Sequence, residues 1–178
     1  MVIIVQNGDK ALRKISKDVL ISDITKTKIK KIITEMNEAL DGQYDGVAIA
    51  APQIGVSLRI FIVSGKVFDD DFMRGESPNT KSEQYKSSKP NLIFINPKFK
   101  RTSKDRKLMT EGCLSVRPLY GKVRRATRAT VEAYNEHGVK FTMNGSGLLA
   151  HVFQHEIDHL EGILFIDKAK DIQEILAE

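Results

Sequence analysis

The stretch LLAHVFQHEIDHL, residues 148–160, decides how this chain is read. Leu148, Leu149, Val152, Phe153, Ile157 and Leu160 recur at the spacing of an α-helix. Gly147 stands before the run and Gly162 just past it, so the pattern predicts a helix with its stop signal in place. Inside it lies His155-Glu156-Ile157-Asp158-His159, which matches H-E-x-x-H. Residues four apart share one helical face, so both imidazoles can reach one metal ion. Glu156 lies beside that face as a general base for a water activated there. Burying two histidines without a partner is costly, and a metal removes the cost. The bland alternative is chance, since the pattern is short; the apolar helix around it favours the metal.

A catalytic site of this kind needs a third protein ligand and an open position. The extended zincin spacing would put a histidine at position 165, which is Phe165. Only 19 residues follow His159, too few for a comfortable second helix bringing Glu174 back. Upstream stands the single cysteine, Cys113, in Glu111-Gly112-Cys113-Leu114-Ser115. A lone cysteine is usually a small buried hydrophobe, yet a thiolate is also a soft anionic ligand that a divalent ion deprotonates. Gly112 lets backbone approach closely, and the context favours ligation. His151 extends the histidine stripe by one more turn. Three such turns span about 12 Å, too far for one ion, so His151 is not expected to ligate. His137 falls in a turn and is expected to be exposed.

Farther out, Asp23–Leu40 has Ile24, Ile29, Ile32, Ile33, Met36 and Leu40 at helical spacing, ending at Asp41-Gly42. GVAIAAPQIG (46–55) is too rich in Gly and Pro for a regular element. Arg59–Val63 and Asn91–Asn96 read as short strands, the second stopped by Pro97. Residues 64–90 lose periodicity and predict a long functional or mobile loop. Its Asp69, Asp70 and Asp71 read as solvated rather than as a cation site. Val123–Tyr134, the turn at 135–138 and Val139–Met143 predict a hairpin. One early helix, several strands and one late helix predict an α+β fold: mostly antiparallel sheets around a central C-terminal helix carrying the histidines.

Composition bounds the rest. The 178 residues suit a single domain, 1–178, with 41% hydrophobic and 29% charged residues. No apolar run approaches the ~20 residues of a membrane span. The N-terminus, MVIIVQNGDKALRK, lacks the layout of a secretory signal. One cysteine permits no internal disulfide and suits a reducing compartment. The net charge of +5 reads as ordinary solubility before it reads as an RNA surface.

Three motifs in order, GVAIAAPQIG (46–55), EGCLS (111–115) and QHEIDHLEG (154–162), resemble those of peptide deformylases. The insertion at 64–90 resembles the larger loop of one deformylase subclass. The resemblance implies a hydrolase that removes the N-formyl group from the first methionine of nascent polypeptides. It implies one divalent metal ion on Cys113, His155 and His159, commonly Fe(II), with zinc, nickel or cobalt able to replace it. The ligand set alone would suggest zinc. Glu156 is the implied base, and the Gln53 side-chain amide with the Leu114 backbone N–H are the implied oxyanion donors. Asp158 is expected to pair with Arg125 behind the site, or else to form a plain surface ion pair.

The implied substrate-binding positions are Gly46, Val47 and Ala48, then Glu111 and Gly112, then Leu148, His151 and Val152. Two depart from the family pattern. His151 stands where an aliphatic residue is usual, which weakens strict methionine preference, and Ala48 replaces the second glycine of the first motif. The implied partners are formylmethionyl nascent peptides, with transient ribosome contact as an added prospect and no membrane. A monomer in the bacterial cytoplasm is expected. The alternatives are a divergent deformylase with altered or lost preference, a metallopeptidase, or an RNA-binding module using Lys122, Arg124, Arg125 and Arg128. Strand arginines without exposed aromatics are more often a solvated face.

Overall fold

A computed structural model describes residues 2–69 and 87–174. Two helices and eight strands position the site: α1 (Thr27–Asp41), β1 (Ala48–Ala50), β2 (Ile60–Val63), β3 (Leu92–Thr102), β4 (Arg106–Gly112), β5 (Leu119–Ala126), β6 (Arg128–Tyr134), β7 (Lys140–Ser146), α2 (Gly147–Leu160) and β8 (Lys170–Glu174). The strands form an antiparallel five-stranded sheet, β1-β2-β3-β6-β7, and an antiparallel three-stranded sheet, β4-β5-β8. The α+β class expected from the sequence is the one observed.

Period-two alternation explains why the middle strands are apolar on both faces. Ile49, Ile60, Ile62, Ile93 and Ile95 turn toward α1, where Ile29, Ile32, Ile33, Met36 and Leu40 meet them. Phe61, Val63, Phe94 and Val131 turn the other way, onto Phe153, Ile157 and Leu160 of α2. Phe61 stacks on Phe94 with ring centroids 4.5 Å apart, and Phe153 meets Phe94 edge-on at 5.3 Å. A third cluster of Leu12, Val116, Val123, Leu164 and Phe165 lies with the three-stranded sheet. Helix α2 therefore touches strands of both sheets.

Several local expectations need correction. Helix α1 begins at Thr27, because Ile21–Asp23 forms a separate 3-10 turn. The 46–55 motif is regular after all: Ala48–Ala50 is a strand and Ala51–Ile54 a 3-10 turn, with Pro52 near the start where a missing N–H costs nothing. Strand β3 runs through Pro97, and the register shifts between Ile95 and Lys98. Asn96 sits in that bulge at φ 51°, which accommodates a residue unable to donate to the ladder. The Val123–Tyr134 stretch is broken at Thr127 and feeds both sheets, so the hairpin is β6–β7 alone. Glu174 ends strand β8 rather than a helix. Gly162 takes φ 73° past the end of α2, the left-handed stop that glycine provides.

Of the long loop, 64–69 and 87–90 are described, and residues 65–68 form a 3-10 turn. Asp69 is buried and accepts a hydrogen bond from the Ser87 hydroxyl at 2.6 Å, so it is not solvated as the acidic run suggested. Asp70 and Asp71 lie outside the described residues.

Candidate metal centre and cleft

Three chain segments converge on the site. Helix α2 presents His155, Glu156 and His159 from successive positions of one face. Cys113 follows strand β4, and Gln53 sits on the 3-10 turn after β1. One ligand atom each from Cys113, His155 and His159 lies within 4.8 Å of the others. Cys113 Sγ is 3.2 Å from His159 Nε2. Around a tetrahedral ion with bonds of roughly 2.0–2.3 Å, donor atoms are necessarily a few ångströms apart, so the cluster has the right size.

The donors also have the right chemistry. Burial pushes the Cys113 thiol up to about 12, so a bare sulfur here keeps its proton. A divalent cation is the partner that converts such a thiol to thiolate. Burial, with His155 beside it, holds His159 well below the usual histidine range and therefore neutral, the form that ligates. Glu156 is fully enclosed, and burial first, then the Glu111 charge, raises its carboxyl well above the usual range. Its Oε2 has no hydrogen-bond partner among the described residues. A buried carboxyl with an idle oxygen beside three side chains of the kinds that ligate metals fits a site built around an ion and a water.

Glu111 organises the layer behind. Arg125 Nε donates to its Oε1 at 2.6 Å and Nη2 to its Oε2 at 3.0 Å, a bidentate pair. His155 Nδ1 lies 2.9 Å from Glu111 Oε2. Burial works to raise the Glu111 carboxyl, yet contacts from His151, His155 and Arg125 hold it far below the ordinary range. An ionised Glu111 requires the proton on His155 Nδ1, which leaves Nε2 as the lone-pair donor. Arg125 Nη1 also donates to Asp158 Oδ2 at 2.6 Å, and Lys168 Nζ reaches Asp158 at 2.8 Å. The Arg125 side chain is 6% exposed, which sets this pair apart from a surface ion pair.

Gln53 is fixed as well. Its Oε1 accepts from the Ala50 N–H at 2.8 Å, so Nε2 must face Ser115 Oγ (3.1 Å) and Cys113 Sγ (3.5 Å). The Leu114 N–H has no acceptor among the described residues.

A cavity of about 290 Å³ opens here. Gly46, Val47 and Ala48 form one wall, and Gly112 and Leu114 stand among the residues of the other. Leu148, His151, Val152 and Glu156 line it from α2. Gly112 has no room for a side chain, because a Cβ would come 2.5 Å from the Tyr120 ring. Glu111 touches the cavity too, but its oxygens are engaged by Arg125 and His155, giving it an inner, orienting place rather than a free substrate-facing one. His151 Nε2 lies 2.8 Å from Glu111 Oε1, though out of line for a hydrogen bond. His137 is exposed and remote from the cavity.

Sequence reading did not single out Asp45, Arg117 or Tyr120, which also line the cavity. Asp45 and Arg117 flank recognised motifs, but nothing in the sequence couples them. Tyr120 is found only through its register opposite Gly112. Of the proposed RNA-binding arginines, Arg125 is buried in the Glu111 and Asp158 network, while Arg124 and Arg128 are exposed on different sheets.

The sequence profile of the family described as polypeptide deformylase matches residues 1–174. The peptide deformylase of Halothermothrix orenii is 41% identical over 167 residues, covering 94% of this chain and 92% of that one. A peptide deformylase structure from Synechococcus elongatus in complex with actinonin superposes with a TM-score of 0.75 at 30% identity, covering 96% of this chain and 79% of that one. The class I type b peptide deformylase of Acinetobacter baumannii, bound to Met-Ala-Ser, superposes with a TM-score of 0.77 at 28% identity, covering 94% and 98%.

Proposed function

Because the chain belongs to the polypeptide deformylase family, metal-dependent hydrolases that remove the N-formyl group from N-terminal methionine, we propose that Cys113, His155 and His159 hold its single divalent ion and that Glu156 is its general base. The grouping of a buried sulfur and two imidazoles around one point, with Glu156 beside them, carries this assignment.

When bound, the ion supplies Lewis acidity, which polarises the formyl oxygen and lowers the pKa of a water. Glu156 takes a proton from the attacking water as its oxygen adds to the formyl carbon. The Gln53 Nε2–H and the Leu114 N–H stabilise the charge that develops on the formyl oxygen. Glu156 then delivers the proton to the peptide nitrogen as the carbon–nitrogen bond breaks, and formate and a free N-terminus leave. Enclosure raises the affinity of Glu156 for protons, which suits a group that must pick one up and hand it on.

Strands β1 and β4 are the end strands of their sheets, and the cavity lies between them. An extended peptide can therefore pair with backbone on both sides, its methionine side chain against Val47, Leu148 and Val152. Ala48 keeps the wall small. The His151 nitrogen is turned to Glu111, which blunts the polar edge it would otherwise offer and supports ordinary methionine preference.

Fe(II) is the proposed native metal, carried by the family resemblance; the sulfur-and-imidazole donor set suits zinc equally. A monomeric, one-domain enzyme of the bacterial cytoplasm, in transient contact with the ribosome, completes the proposal. The family match over residues 1–174 supports the single domain, and no helix of the described residues is long and apolar enough to cross a membrane.

The test is formate release from formyl-Met-Ala-Ser by anaerobically purified protein, with metal content measured on the same sample. Glu156→Ala is expected to keep its metal and lose turnover by about 10²–10⁴-fold. Near-normal turnover by that variant would refute the assigned base.

A further inference from the structure

We propose that the Asp45–Arg117 ion pair is a clasp across the mouth of the cleft, holding the β1 and β4 edges at the separation one extended peptide needs. It makes Asp45 and Arg117 positioning residues for the substrate backbone. The proposal rests on the reading of this cleft as a peptide channel.

Asp45 precedes β1, and Arg117 lies between β4 and β5, so the pair joins the rims of two different sheets. Arg117 Nη2 donates to Asp45 Oδ1 at 2.5 Å, and Nη1 donates to Gln43 Oε1 at 2.9 Å. The loop that carries Gln43 and Asp45 is also held from beneath. The buried Lys66 ammonium donates to the carbonyls of Gln43 (3.2 Å) and Tyr44 (3.3 Å). Pinned through its backbone on one side and its side chains on the other, the loop has a set distance from Arg117.

That distance matters because hydrogen-bonded strands lie about 4.8 Å apart. A peptide that pairs with both edges therefore needs them roughly 10 Å apart, and small drift at the rim loses one ladder or the other. The farther the peptide extends from the formyl group, the more of this pairing it uses. The clasp is partly exposed, with side-chain accessibilities of 41% for Arg117 and 33% for Asp45. An exposed pair adds little to folding, so its effect belongs in substrate affinity rather than in melting temperature.

The experiment compares metal-replete wild type, Arg117→Ala, Asp45→Ala and the double variant on formyl-Met-Ala-Ser and on formyl-Met amide. Each single change is expected to raise KM for the tripeptide about threefold, the scale of an exposed pair. The double variant should be no worse than either single one, kcat should stay within about twofold, and KM for formyl-Met amide should not move. Melting temperature and metal content check the fold, and Arg117→Gln replaces Arg117→Ala if the latter melts early. An unchanged tripeptide KM, an equal rise for both substrates, additive effects, or a kcat loss without a KM change overturns the clasp. Wild-type turnover with a flat KM series defeats the clasp alone, whereas absence of formate from the wild type defeats the deformylase reading with it.

Discussion

Helix α2 is held differently on its two sides. Toward the five-stranded sheet it presents Ala150, Phe153, Ile157 and Leu160 to Phe61, Phe94 and Val131, contacts that need volume but little direction. Toward the three-stranded sheet it presents His155 and Asp158 to Glu111 and Arg125, contacts that hold only at set distances and angles. Gln154 adds to this side, its amide accepting from Ala126 N–H at 2.9 Å and donating to Ala126 O at 3.0 Å. The apolar side fixes where the helix lies. The polar side fixes which way its imidazoles face, and a metal site depends on that.

The largest effect that would break this division comes from Arg125→Ala. It strips the buried Glu111 carboxylate of its bidentate partner and leaves half-buried Asp158 to Lys168 alone, and denaturant unfolding should show a loss of about 3–5 kcal/mol. Metal affinity should fall in the same variant, by about 10–100-fold, because Glu111, the partner of His155, is no longer held in place. Unaltered metal affinity would mean that the ionic side does not orient the ligands.

On the apolar side, Ile157→Val should cost about 1 kcal/mol in the same unfolding assay. Metal affinity and kcat should be unchanged, since no directed contact is lost. A clear drop in either would erase the distinction between the two sides.

The smallest effect sharpens the contrast between buried and exposed ion pairs. Arg13 Nη1 meets Asp167 Oδ2 at 2.5 Å, but with side chains 44% and 38% exposed. The Arg13 hydrogen bond holds the Asp167 carboxyl below its ordinary value of 3.8. A depressed carboxyl contributes stability above that value and loses it as pH falls through the lower folded one. Asp167→Asn should therefore cost about 0.5 kcal/mol near neutral pH, after allowance for screening, and the cost should fade as pH falls below the ordinary carboxyl value and through the lower folded one. A cost that persists in acid would show that the charge is not its source.

What the sequence made legible follows the same division. HEIDH and the apolar run around it are local, so the helix, its paired imidazoles and Glu156 can all be read from 16 consecutive residues, 147–162. Cys113 was reachable because it is the chain's one cysteine and sits in a short motif. The role of Glu111 was not, because its partners lie 14 residues away at Arg125 and 44 away at His155. The Asp45–Arg117 pair, 72 residues apart, is invisible for the same reason. Strand errors have local causes: Pro97 hides in a bulge, and Thr127 marks a change of sheet that alternation alone does not register. Ala48–Ala50 is short and flanked by Gly and Pro, so its pairing with β2 outweighs its weak propensity.

The central claim is that one ion is held by a sulfur and two ring nitrogens, and cobalt(II) reports this directly. Protein loaded with cobalt should bind one ion per chain and show a sulfur-to-metal charge-transfer band that disappears in Cys113→Ala, together with a drop in cobalt affinity. A wild-type protein that binds cobalt without that band, or a Cys113→Ala variant that keeps it, would contradict the account.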